Sequence, residues 1–72
     1  MNDLTELTLT VNGTPRQVPP STTLAELVAT LSTAPTGVAA ALNEAVVPRS
    51  VWATTALDAG DRVEILTAVQ GG

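Results

Sequence analysis

The 72 residues predict an α+β domain, in which one main helix packs across one face of a mixed sheet of four or five strands. Three observations predict it. Leu7, Leu9 and Val11 alternate with Thr8 and Thr10, the period-two pattern of a half-buried strand. Asn12-Gly13 follows at once, and such a pair between strand-like runs is the strongest short-range hairpin signal, because a type I′ turn needs positive φ at both positions. Leu24, Leu27, Val28 and Leu31 then fall at i, i+3, i+4 and i+7, one apolar stripe for a helix lying on a sheet.

A two-residue loop at Asn12-Gly13 pairs Val11 with Thr14, Leu9 with Arg16 and Leu7 with Val18. The second strand is therefore Thr14 to Val18, and Pro15 within it, lacking an N–H, assigns it to a sheet edge. Pro19-Pro20 ends it. Thr23 and Glu26 stand at N-cap and N3 spacing, a capping box that opens a helix of about nine residues. Ser32 to Gly37, with Pro35, breaks that helix. Val38-Ala39-Ala40-Ala41-Leu42 is a short continuous apolar run, which suits a strand buried on both faces in mid-sheet. Its three alanines also allow helix, but the run is short and starts against Gly37. Asn43-Glu44 reads as a turn and Ala45-Val46-Val47 as a brief strand ended by Pro48. Arg49 to Leu57 reads as irregular or a single turn, anchored by Val51, Trp52 and Leu57. Asp58-Ala59-Gly60-Asp61 is a tight turn, and the final strand runs from Arg62 to about Ala68. Strand, strand, helix, strand, short strand, strand is the β-grasp order, and the right-handed crossover rule makes the first and last strands parallel neighbours.

Length allows one domain, residues 1–72, ending in a slim tail at about residues 69–72. A chain this small buries roughly 60% of the surface its unfolded form exposes, so a deep substrate pocket is not expected. Phe and Tyr are absent and Trp52 is the one aromatic, so the core is aliphatic and base stacking has no platform. The net charge of −4 disfavours nucleic acid and anionic membranes as partners and favours a basic protein surface. With no spanning-length apolar run and no basic start at Met1-Asn2-Asp3, the expected compartment is the cytoplasm.

Catalysis has few candidates. Cysteine and histidine are missing, which removes disulfides, thiolates, imidazole bases and the usual soft metal sites. Asp58 with Asp61, or Glu26 with Glu44, could supply a carboxylate pair, but turn and cap duty explains all four. No phosphate loop or nucleophile elbow is present, so the chain is expected to act without catalysing a reaction itself, binding neither metal nor cofactor.

The candidate chemistry lies in Val69-Gln70-Gly71-Gly72, where the pair of glycines alone also fits a frayed, tolerated end. Two glycines without side chains form a thread that can enter a slot too narrow for other residues, and they present a carboxylate at the tip. An ATP-using partner can convert that carboxylate to an acyl-adenylate, which a sulfur nucleophile converts to a thiocarboxylate. Lysine is also missing, so a carrier of this sequence offers only an N-terminal amine as an internal acceptor. Just before the tail, Val63 and Ile65 should face the helix, whereas Leu66 and Ala68 should face the other way as partner contacts. Arg49 is a candidate for an acidic partner residue or for Glu44.

The ordered set Ala41-Leu42-Asn43, Val47-Pro48-Arg49 with Trp52, Asp58 to Ile65, and Val69 to Gly72 resembles the ThiS sulfur carriers of thiamine biosynthesis over the whole chain. The resemblance implies a ubiquitin-like fold. It also implies that a ThiF-like adenylyltransferase using Mg-ATP adenylates Gly72, with Gly71 keeping the thread slim. A sulfur donor such as a cysteine desulfurase then feeds the thiocarboxylate, and a ThiG-like thiazole synthase receives it. Ala59 departs from the commoner acidic residue at that turn, and Met1 to Glu6 is slightly longer than usual. Alternatives are a MoaD-like carrier for molybdopterin, a carrier for cysteine synthesis, a plain β-grasp interaction module, or a ubiquitin-like modifier. MoaD-like chains usually place a proline pair near the glycines, where this chain has Leu66-Thr67-Ala68-Val69.

Overall fold

The computed structural model describes residues 6–31 and 37–67. Its elements are β1 (Leu7–Val11), β2 (Thr14–Val18), α1 (Leu24–Leu31), β3 (Val38–Leu42), β4 (Ala45–Val47), a 3-10 segment (Arg49–Thr54) and β5 (Arg62–Thr67). The five strands form one sheet in the order β2-β1-β5-β3-β4, with β1 and β5 parallel and the other neighbours antiparallel. This is the ubiquitin-like β-grasp arrangement, and β2 lies at an edge where Pro15 costs no ladder bond.

Local chemistry accounts for the first half. Asn12 and Gly13 both hold positive φ, 51° and 84°, and the register Leu7↔Val18, Leu9↔Arg16, Val11↔Thr14 follows from that two-residue loop. At the start of α1 the Thr23 N–H donates to Glu26 Oε1 at 3.0 Å and the Glu26 N–H donates to Thr23 Oγ1 at 3.2 Å, a closed capping box. The α1 stripe then buries Leu24, Leu27 and Val28 against Leu9, Val11, Val63 and Ile65 from the two central strands. Leu31 packs at the margin of that core.

Two expectations about the second half need correction. β3 is not buried on both faces: Ala40 alone is buried, while Ala39 is exposed on the side away from α1. A run of apolar residues reads as doubly covered, but one helix can cover one face of a sheet, and alanine exposes little surface on the other. Val51 is no core anchor either; it is 41% exposed. Trp52 and Leu57 carry that segment, with the Trp52 indole N–H donating to the Val47 carbonyl at 2.8 Å. The segment is tied to α1 by backbone bonds from the Leu24 N–H to the Thr55 carbonyl, 2.8 Å, and from the Leu57 N–H to the Thr22 carbonyl, 3.0 Å.

Candidate functional site

β5 is the element that delivers the chain to its C-terminal residues, and polar side chains hold it at both ends. At its start the Asp58 N–H donates to Asp61 Oδ2 at 2.8 Å, and Gly60 takes φ 86°, closing the tight turn. Asn43 then clamps the first residue of the strand. Its N–H donates to the Arg62 carbonyl at 2.7 Å, its Oδ1 accepts from the Arg62 N–H at 2.9 Å, and its Nδ2 donates to Asp61 Oδ1 at 3.1 Å.

At the other end β1 stops one pair short. Val11 pairs with Val63, and the chain then turns away at Asn12. Without a neighbour, the Ile65 N–H and carbonyl would lose their ladder on that side. The Asn12 side chain replaces the missing peptide: Oδ1 accepts from the Ile65 N–H at 2.9 Å, and Nδ2 donates to the Ile65 carbonyl at 3.2 Å. On its opposite edge β5 stays paired with β3 as far as Val38↔Thr67. The strand is therefore anchored as far as Thr67, where the described residues end.

Leu66 is 70% exposed, on the face away from α1, as its alternation with Val63 and Ile65 requires. It pairs with Ala39 across β3, and Ala41 pairs with Val46, which is 79% exposed on β4. Alternation puts Leu66, Ala39, Ala41 and Val46 on one side of the sheet, an apolar surface beside Glu64. The expected contacts Ala68 and Val69, together with Gln70, Gly71 and Gly72, lie outside the described residues. Arg49 sits in the 3-10 segment with its guanidinium 5.5 Å from the Trp52 ring centroid. Glu44, which the sequence leaves open as an Arg49 partner, pairs with Arg62 at 3.2 Å.

Of the four carboxylates considered as acid–base pairs, Glu26, Asp61 and Glu44 have structural tasks. Glu26 caps α1, Asp61 accepts from Asp58 and Asn43, and Glu44 meets Arg62. Among the described residues no group of three His, Cys, Asp or Glu side chains could hold a metal ion, and no helix is long and apolar enough to cross a membrane. Sequence reasoning missed the amide bridges of Asn12 and Asn43 and the place of Val46 on the open face. The hairpin signal explains the backbone of Asn12, but nothing local shows that its amide meets a residue 53 positions away.

Residues 9–72 match the family model described as the ThiS family. The chain belongs to the ThiS family. Three chains among solved structures also match. One of them, the crystal structure of the thiamine biosynthesis protein ThiS from Geobacter metallireducens, is 36% identical, covering 92% of this chain and 100% of that chain, with a TM-score of 0.75. No curated protein matches. The ThiS match runs past β5 through Gly71-Gly72, so the residues proposed from chemistry alone fall inside it.

Proposed function

We propose that this chain is a sulfur carrier that supplies sulfur for the thiazole moiety of thiamine and catalyses no reaction itself. The carrying observation is the ThiS match over residues 9–72, which includes the terminal Gly-Gly. In the proposed sequence, a Gly72 carboxylate oxygen attacks the α-phosphorus of Mg-ATP on a ThiF-like adenylyltransferase and pyrophosphate leaves. The outer sulfur of a persulfide on a donor such as a cysteine desulfurase then attacks the acyl carbon, AMP leaves, and a thiol reductant cleaves the S–S bond of the acyl disulfide so formed, being itself oxidised to a disulfide. The resulting thiocarboxylate goes to a ThiG-like thiazole synthase. ATP and magnesium belong to the activating enzyme.

The division of labour follows from the chain's residues. With no cysteine or histidine and with Glu26, Asp61 and Glu44 occupied in a cap, a turn and an ion pair, the domain contributes position instead of reactivity. Asn12, Asn43 and β3 hold β5, and the open face carrying Leu66 is the docking surface that sets the tail against the partner's slot. Ala68 and Arg49 are proposed as further contacts, and Val69, Gln70 and Gly71 as the thread.

Intact mass tests this directly. Incubation with a ThiF-type enzyme, Mg-ATP and a sulfur source should raise the mass by the difference between sulfur and oxygen. No change would reject the carrier reading, and stable higher-mass protein adducts would show a modifier instead.

A further inference from the structure

Asparagine stands at positions 2, 12 and 43, and of these only Asn12 is followed by glycine. That dipeptide carries a reaction as well as a turn. Glycine has no Cβ to shield its main-chain nitrogen, which can attack the side-chain carbonyl carbon, Cγ, of the asparagine before it and close a succinimide ring. Asn12 and Gly13 are both exposed. Apart from its chain neighbours, nothing among the described residues lies within 4 Å of the point where a Cβ on Gly13 would stand, so water and base reach the turn.

The fold opposes that ring closure. Cγ belongs to the amide that bridges to β5, where Oδ1 accepts from the Ile65 N–H at 2.9 Å and Nδ2 donates to the Ile65 carbonyl at 3.2 Å. The two bonds fix the plane of the amide, and swinging Cγ onto the Gly13 nitrogen breaks both. The turn beneath it is held as well, with φ of 51° and 84° and with the Asn12 N–H donating to the Val63 carbonyl at 2.8 Å. One group is thus both the reactive amide and the lock on the strand, so the reaction waits on the release of Ile65.

We propose that Asn12 is a modification site gated by β5, at which deamidation turns the locking amide into a carboxylate. The Gly13 nitrogen gives its proton to a solvent base and bonds to Cγ; the Cγ–Nδ2 bond breaks and ammonia leaves. Water then opens the ring, at Cγ to leave aspartate or at the main-chain carbonyl to leave isoaspartate. Neither product relocks the strand. Aspartate still accepts from the Ile65 N–H but has no donor for the Ile65 carbonyl, so two acceptors meet where a 3.2 Å bond stood, and a chain of net charge −4 gains a further negative charge. Isoaspartate adds a carbon to the main chain of the two-residue loop, which the Leu7↔Val18 to Val11↔Thr14 register does not accommodate. The change runs one way, and it stands independently of the carrier reading.

The test incubates the unmodified protein in mildly alkaline buffer beside a peptide of its residues 7–18, which has the turn but not β5. Mass spectrometry follows deamidation and maps the product to position 12. Because two bonds must open before each ring closure, the folded chain should react roughly thirtyfold more slowly than the peptide. Urea below the unfolding transition should raise the rate in step with amide hydrogen exchange at Ile65. Asn12→Asp, a copy of one product, should exchange the Ile65 amide roughly tenfold faster than the parent. Three kinetic results on the unmodified chain overturn the proposal, whether or not that variant folds: a rate within about twofold of the peptide's, no product at position 12 after roughly a hundred peptide half-lives, or a rate that stays fixed while Ile65 exchange rises. Parental exchange at Ile65 in folded Asn12→Asp overturns it too.

Discussion

Replacing Asn12 with glycine isolates the side-chain bridge that secures β5. Glycine keeps the turn, because positive φ at position 12 costs it nothing. What is lost is the pair of bonds to Ile65, at 2.9 and 3.2 Å, both partly shielded from water. At a net contribution of about 1 kcal/mol each, the expected destabilisation is about 2 kcal/mol. Asn12→Ala should lose about 1 kcal/mol more, because a side chain with a Cβ and no local hydrogen bond is strained in the left-handed region. Urea unfolding followed by circular dichroism measures both, and the 2 kcal/mol loss corresponds to a fall in Tm of roughly 8 to 16 °C for a domain of this size. Amide hydrogen exchange should show Ile65 opening far more often than Val63, whose neighbours remain. A loss below about 0.5 kcal/mol for Asn12→Gly would refute the idea that this amide substitutes for a strand.

Leu66→Asp should change stability by no more than about 0.5 kcal/mol, because the side chain is already in water, yet should weaken binding to the adenylyltransferase in a titration; global unfolding would mean that the open face is a packing surface. Trp52→Ala should cost about 3 to 5 kcal/mol in denaturant unfolding, through the cavity left in an aliphatic core and the unpaired Val47 carbonyl. Thr23→Ala should cost about 1 kcal/mol by opening the capping box, with the far-UV signal of the folded state unchanged.

Local signals in this chain were strong wherever one residue type satisfies one backbone demand. Asn12-Gly13 specified the hairpin register, Pro15 the edge, and Thr23 with Glu26 the helix start, and each stands in the structure as read. Tertiary demands left weaker traces. The alanines of β3 do not say which face the helix covers, and the exposure of Val51 depends on how the 3-10 segment turns beneath Trp52. Arg62 and Arg49 are equally good partners for Glu44 on paper; the Asn43-Glu44 turn, with φ of 50° and 74°, places the carboxylate beside the start of β5. The proposed site was read from chemistry, since the residue set excludes most reactive groups, and its residues 68–72 lie outside the described residues.

The central claim is that the domain positions one main-chain carboxylate for a partner to activate. Deleting Gly72 and measuring ATP–pyrophosphate exchange with a ThiF-type adenylyltransferase tests it most directly. The account predicts that exchange is abolished while Tm is unchanged. Exchange at the parental rate from the shortened chain would contradict it.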